Sequence, residues 1–232
     1  MIQYPETPAN WAPLETALSA FPSVQFYIIT NPDSGPGPAN SQPDANYQAN
    51  IETLLGHSNA MLLGYVATGF GTRPSADVIQ DIHTYLGWNA TYGLAGVFLD
   101  ETMAGLEDLY KSYTAAIRAA AWPNRPTGYV IMNPGEDIGN SDYYELADQI
   151  VTFEQTYAEF QEGTPCTVRP TPTAAVPQST FTGSNQTLSD VVQSIKDGVF
   201  KSTYITDLNI NETDVYAGFG SDWVQFVADV AT

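Results

Sequence analysis

Three carboxylates stand where chemistry is most easily built. The run Gly96-Val97-Phe98-Leu99-Asp100-Glu101 is apolar until it closes on two acids, and Ile150-Val151-Thr152-Phe153-Glu154 closes on a third. An ionised carboxylate at the end of an apolar strand costs desolvation energy unless it is paired or used. Capping of a following helix would use such acids structurally. Two separate acidic strand ends in one chain shift the balance towards catalysis. Carboxylates facing each other across a site are what glycosidic bond cleavage requires, one to protonate the leaving oxygen and one to attack or to activate water.

Other chemistries find less support. Cys166 is the sole cysteine, so no disulfide forms within the chain, and His57 and His83 share no ligand spacing with it or with each other. Neither histidine follows an apolar run, which leaves a Ser-His-Asp arrangement without its base. No metal or other cofactor is implied. Aromatic residues complement the acids. Tyr4, Trp11, Tyr65, Phe70, Tyr157 and Trp223 lie at or just beyond strand ends or in loops, where ring faces could stack on a sugar. Each suits core or lid packing equally well, and Trp223, on the apolar face of a helix, reads as core.

The elements that must position these residues alternate along the chain. The clearest strands are Val24–Thr30, Met61–Thr68, Leu94–Asp100, Tyr129–Met132, Ile150–Phe153 and Thr203–Leu208, with weaker ones at Ile2–Tyr4 and Ala174–Val176. Most are continuously apolar, as strands covered on both faces are. Between them, Pro74-Ser75 opens a helix with Val78, Ile82 and Tyr85 on one face. Leu106 to Ala120 repeats apolar residues at helical spacing and stops before Pro123. Thr187 with Asp190 caps a third helix, and Ser221 opens the last. Eight strands at about 29 residues per strand–helix unit give the rhythm of a single-domain (β/α)8 TIM barrel spanning residues 1–232. A doubly wound open sheet is the competing architecture, but no GxGxxG follows any strand. In a barrel the strand ends carry the reactive residues, which adds Tyr4, Asn31, Tyr65, Arg73 and Asn133 as candidate substrate contacts. Arg73 equally suits structural pairing with a carboxylate. Asn31 and Asn133, each followed by proline, also suit turns.

Composition narrows the partners. The 232 residues carry 26 Asp+Glu against 7 Lys+Arg, a net charge of −19, which a phosphate backbone would repel. With 43% hydrophobic and 12% aromatic residues the chain is no disordered acidic tail. No apolar run reaches the roughly 18–20 residues that span a bilayer. The N-terminus lacks the basic region and apolar core of a signal peptide. Sequons at Asn89, Asn185 and Asn211 argue weakly for secretion, and nothing in the sequence points beyond a monomer.

Several segments occur in a telling order: Asn31-Pro32-Asp33-Ser34-Gly35-Pro36-Gly37, Leu63-Gly64-Tyr65-Val66-Ala67-Thr68 with Arg73, Gly96 to Glu101, Asn133-Pro134-Gly135, and Ala147 to Glu154. Over about the first two-thirds of its length the chain resembles the spherulin-4-type family, glycoside hydrolase family 135. Where family members usually place a histidine, at the end of the seventh strand, this chain has Pro177-Gln178-Ser179-Thr180. The resemblance implies a secreted or surface-anchored (β/α)8 barrel, its signal sequence absent from this chain. It also implies endo-hydrolysis of α-1,4-linked N-acetylgalactosamine in galactosaminogalactan, with Asp100, Glu101 and Glu154 as the essential acids.

In that substrate the axial leaving oxygen and the 2-acetamido group share a face, so the acetamido oxygen cannot attack from behind. The protein must then supply the nucleophile or activate water. By analogy with barrel enzymes acting on α-galactosides, Asp100 is the expected nucleophile and Glu154 the general acid/base, with retained configuration. Glu101 is left to bind substrate or tune Asp100. A related hydrolase of deacetylated galactosamine or galactose linkages is one alternative, and a non-catalytic carbohydrate-binding wall protein is another.

Overall fold

Continuously apolar strands need cover on both faces, and this chain supplies it by alternating strand with helix. The structure, a computed structural model, describes residues 2–3, 10–162, 173–178, 187–198, 200–208, 215–216 and 218–232. Strands β1 (Ile2–Gln3), β2 (Phe26–Asn31), β3 (Ala60–Ala67), β4 (Gly96–Asp100), β5 (Tyr129–Met132), β6 (Gln149–Thr156), β7 (Thr173–Gln178) and β8 (Phe200–Thr203) form one sheet. The sheet is parallel throughout and its strands lie side by side in sequence order. Helices α1 (Ala12–Ala20), α2 (Ala45–Leu55), α3 (Ser75–Leu86), α4 (Glu107–Arg118), α5 (Ser141–Tyr144), α6 (Tyr157–Glu162), α7 (Leu188–Asp197) and α8 (Trp223–Ala231) alternate with the strands.

The sheet is strongly curled. Strands β2 and β5 are three positions apart, which in a flat sheet would separate them by about 14 Å. Yet the rings of Tyr27 and Tyr129, one from each, stack with centroids 5.6 Å apart. The alternation of side chains divides the core accordingly. Ile29, Leu63, Tyr65, Phe98, Ile131 and Val151 converge inside the curl. Their neighbours Ile28, Leu62, Val66, Val97, Leu99 and Met132 face outward and join the helices in the larger cluster. Below the inner apolar layer lies a polar one, in which Gln149 donates to the Tyr129 hydroxyl at 2.9 Å and accepts from Ser202 at 2.5 Å. Among the described residues no ladder joins β8 to β1, so the chain's architecture is an α/β fold on a curled parallel sheet.

Helix seating follows the sequence closely. A Cβ on Gly64 would lie 2.6 Å from the ring of Tyr85. Glycine in mid-strand thus lets a fully buried tyrosine lie flat on β3 and donate to the Thr30 carbonyl at 3.1 Å. Thr187 and Asp190 form the capping box read from their spacing, which satisfies two backbone N–H groups at the start of α7.

One strand differs from its expected position. The eighth is Phe200–Thr203, upstream of the apolar run that begins at Thr203. Helix α7 ends with its cap at Gly198, so the chain pairs with β7 at once. Tyr204 and Ile205, which gave the run its strand-like look, instead join the helix-side core, where Tyr204 meets Trp223 and Phe226 of α8.

Candidate active site

The acids reach one place because three strand ends are brought level. Asp100 ends β4 on the face that Phe98 presents inward, and pairs in register with Ala67 of β3. Asn133 continues β5 by one residue, its backbone N–H donating to the Leu99 carbonyl at 2.8 Å. Glu154 needs a further device. Counted alternately from the inward-facing Val151, it would turn towards the helices. Val151 pairs with Ala174 but Phe153 with Ala175, so the register shifts by one residue at Thr152. This bulge shifts the alternation by one. Phe153 then packs outward on Phe160, with ring centroids 5.1 Å apart, and Glu154 turns in.

Asn133 joins the two acids. Its Nδ2 donates to Oδ1 of Asp100 at 2.8 Å and to Oε2 of Glu154 at 2.5 Å, while its Oδ1 accepts from the Gly135 N–H at 2.9 Å. Since one nitrogen serves both carboxylates, the bonded oxygens lie no further apart than the two bonds end to end, about 5.3 Å. Tyr65 and Tyr216 complete the cluster. Tyr65, on β3 and stacked beside Phe98, lies beside Asp100. Tyr216 donates to the other Glu154 oxygen in a short hydrogen bond.

The electrostatics give the two acids different settings. Burial raises the pKa of Glu154 above its ordinary value; hydrogen bonds from Tyr216 and Asn133 draw it part of the way back, and the Asp100 charge pushes it up again. Both phenols are held well above their ordinary range, first by burial and then by the neighbouring carboxylates, Asp100 for Tyr65 and Glu154 for Tyr216. Each therefore stays protonated and serves as a donor.

Glu101 takes a different course. Its backbone is left-handed, with φ 54°, unusual for a residue with a side chain. Its carboxylate accepts the Gly69 N–H at 3.1 Å, and its carbonyl accepts from the Thr68 hydroxyl and the Phe70 N–H, both at 2.7 Å. It ties the loop after β3 to the end of β4. Arg73 is engaged structurally, donating to Asp81 at 2.6 Å and to the Ala67 carbonyl at 2.9 Å. Asn31 is buried and shapes its turn, its Oδ1 accepting the Gly35 N–H at 2.8 Å. Tyr4 lies outside the described residues, as do Cys166, Asn185 and Asn211.

Of the expected site residues, then, Asp100, Glu154, Asn133 and Tyr65 come together, with Glu101 one residue away. Tyr216 was not anticipated. It follows no apolar run, and its only mark in the sequence is an aromatic in the stretch Tyr216-Ala217-Gly218-Phe219-Gly220. A cavity of about 790 Å³ runs from Asn133, Glu154 and Tyr216 past Phe98 and Ile131 to Tyr27. Among the described residues no three His, Cys, Asp or Glu side chains group as metal ligands, and no helix is long and apolar enough to cross a membrane.

A curled parallel sheet wrapped by helices, with carboxylates level at its strand ends, defines an α/β protein with a glycoside hydrolase-like fold. The model of spherulation-specific family 4 matches residues 1–230, and the chain belongs to that family. Spherulin-4 of Physarum polycephalum is 32% identical over 163 residues, covering 68% of this chain and 46% of that protein. The match thus spans about half the length of that curated relative. Among solved structures, Aspergillus clavatus Sph3 in complex with GalNAc is 37% identical, with a TM-score of 0.87 over 100% of this chain and 95% of that one.

Proposed function

We propose that this protein is a retaining endo-hydrolase of α-1,4-linked N-acetylgalactosamine in galactosaminogalactan. The observation that carries the reading is the Asn133 bridge, which holds the bonded oxygens of the two acids within about 5.3 Å, short of the roughly 6.5–9.5 Å that an inverting enzyme needs to admit water, and so supports the closer spacing of a retaining enzyme. The bound GalNAc of the similar Sph3 supports the sugar.

In this mechanism a carboxylate oxygen of Asp100 attacks the anomeric carbon, forming a C–O bond as the glycosidic bond breaks. Glu154, whose burial favours the protonated form, gives its proton to the leaving oxygen. Glu154, now ionised, takes a proton from water. That water's oxygen displaces Asp100 from the anomeric carbon, and two inversions restore the original configuration. Asn133 and Tyr65 orient Asp100, while Glu101 holds the loop beside it.

Three further readings belong to the proposal. The sheet closes between β8 and β1 as a (β/α)8 barrel, which its curl and sequential strand order support. The protein acts as a monomer outside the cell or at its surface, where the exposed sequon at Asn89 would be open to glycosylation.

Incubation with galactosaminogalactan and with its deacetylated form tests the activity. Oligosaccharides with α-configured ends, detected by NMR as first product, are expected from the acetylated polymer. Asp100→Asn and Glu154→Gln should each lower the rate by about 10²–10⁴-fold. Release from neither polymer would favour the non-catalytic carbohydrate-binding reading, and initial β-configured ends would overturn retention.

A further inference from the structure

Among the aromatic residues set at strand ends or in loops, the structure makes a sharp division. Trp11, Tyr157 and Trp223 are buried in the core, and Tyr65 is 9% exposed and lies beside Asp100. Phe70 is 55% exposed. A single exposed apolar side chain is ordinary on a protein surface and by itself needs no explanation. The backbone under Phe70 is not ordinary.

Gly69, Phe70 and Gly71 are all left-handed, with φ of 60°, 52° and 76°. Glycine adopts that conformation freely, but for phenylalanine it costs about 1–2 kcal/mol. The loop is built to hold it. Phe70 N–H is tied to the Glu101 carbonyl at 2.7 Å, Gly69 N–H to the Glu101 carboxylate at 3.1 Å, and Gly71 N–H to the Thr68 carbonyl at 3.1 Å. Beneath, a Cβ on Gly71 would fall 2.2 Å from Leu106, so the loop is packed down against the start of α4. Strain of this kind persists only where surrounding contacts over-determine it, and it clusters at ligand-binding sites. Here it holds a phenyl ring out at the rim, one hydrogen bond from the residue that follows Asp100.

We propose that Phe70 is a stacking platform for a pyranose ring of the same glycan chain, next to the ring held at Asp100 and Glu154. The apolar C–H face of a hexosamine packs on the exposed phenyl face, while its hydroxyls and acetamido group stay in water. The platform rests on the proposed function for its substrate. It adds that the site grips a chain through more than one sugar.

The test is a length series. Rates on α-1,4-linked N-acetylgalactosamine oligosaccharides are measured for the unaltered protein, Phe70→Ala and Phe70→Trp, and binding of each to the polymer is measured in an Asp100→Asn background. Phe70→Ala should raise KM about tenfold on the longer oligosaccharides with kcat nearly unchanged, and leave the shortest cleavable one unaffected. Phe70→Trp should retain the length dependence. An equal loss at every length, or none on the longest, would overturn the platform. If the unaltered protein cleaves no member, the hydrolase reading fails. Polymer binding then decides for Phe70: weaker binding by Phe70→Ala supports the platform, and unchanged binding overturns it.

Discussion

Glu154 sits under opposing influences, and each can be removed singly. Its burial favours the protonated form that a general acid needs, while the hydrogen bond from Tyr216 favours the ionised form that must follow. In Tyr216→Phe that donor is lost and the Glu154 pKa rises further. The alkaline limb of the kcat/KM profile, where the acid loses its proton, should therefore move to higher pH. At the optimum kcat/KM should fall about tenfold, the cost of one hydrogen bond to a charged group. A profile that drops without moving would mean that Tyr216 merely packs beside Tyr204, with which it stacks at 6.3 Å.

Strand β6 shows why one element can be legible and its chemistry hidden. Its apolar run and terminal acid stand out in the sequence, but simple alternation would turn Glu154 away from Asp100. The bulge at Thr152 exists only in the pairing with β7, whose first residue lies 21 positions downstream, so no local pattern announces it. Deleting Thr152 should restore a regular strand with Glu154 still facing inward, and activity should stay within about tenfold of normal. Inserting one residue between Phe153 and Glu154 should turn the acid outward and lower activity at least about 10²-fold. Rates of the two variants, both checked for native circular dichroism, decide the matter. Elsewhere legibility follows the range of the interactions. The periodic faces of α3 and α4 and the cap of α7 are local and agree with the sequence reading. Strand β8 and Tyr216 are placed by contacts with β7, α8 and Glu154, so the sequence reading set the strand a few residues late and did not single out Tyr216.

At the scale of the whole molecule the charge of −19 bears on the proposed substrate. A polysaccharide that has lost acetyl groups carries ammonium charges, and an acidic protein is drawn to it over about a Debye length. Raising salt from low to physiological strength should therefore weaken kcat/KM several-fold on a partly deacetylated polymer and leave it level on the fully acetylated one. Equal salt dependence on both would show that the charge serves solubility alone. The sheet gathers the ends of β4, β5 and β6 around one amide nitrogen. Asparagine is the shortest neutral side chain with two N–H groups on one atom, and glutamine, one methylene longer, is the only other uncharged amide in the genetic code. The tie between the two acids is thus inherited through a single codon, and that codon specifies neither acid.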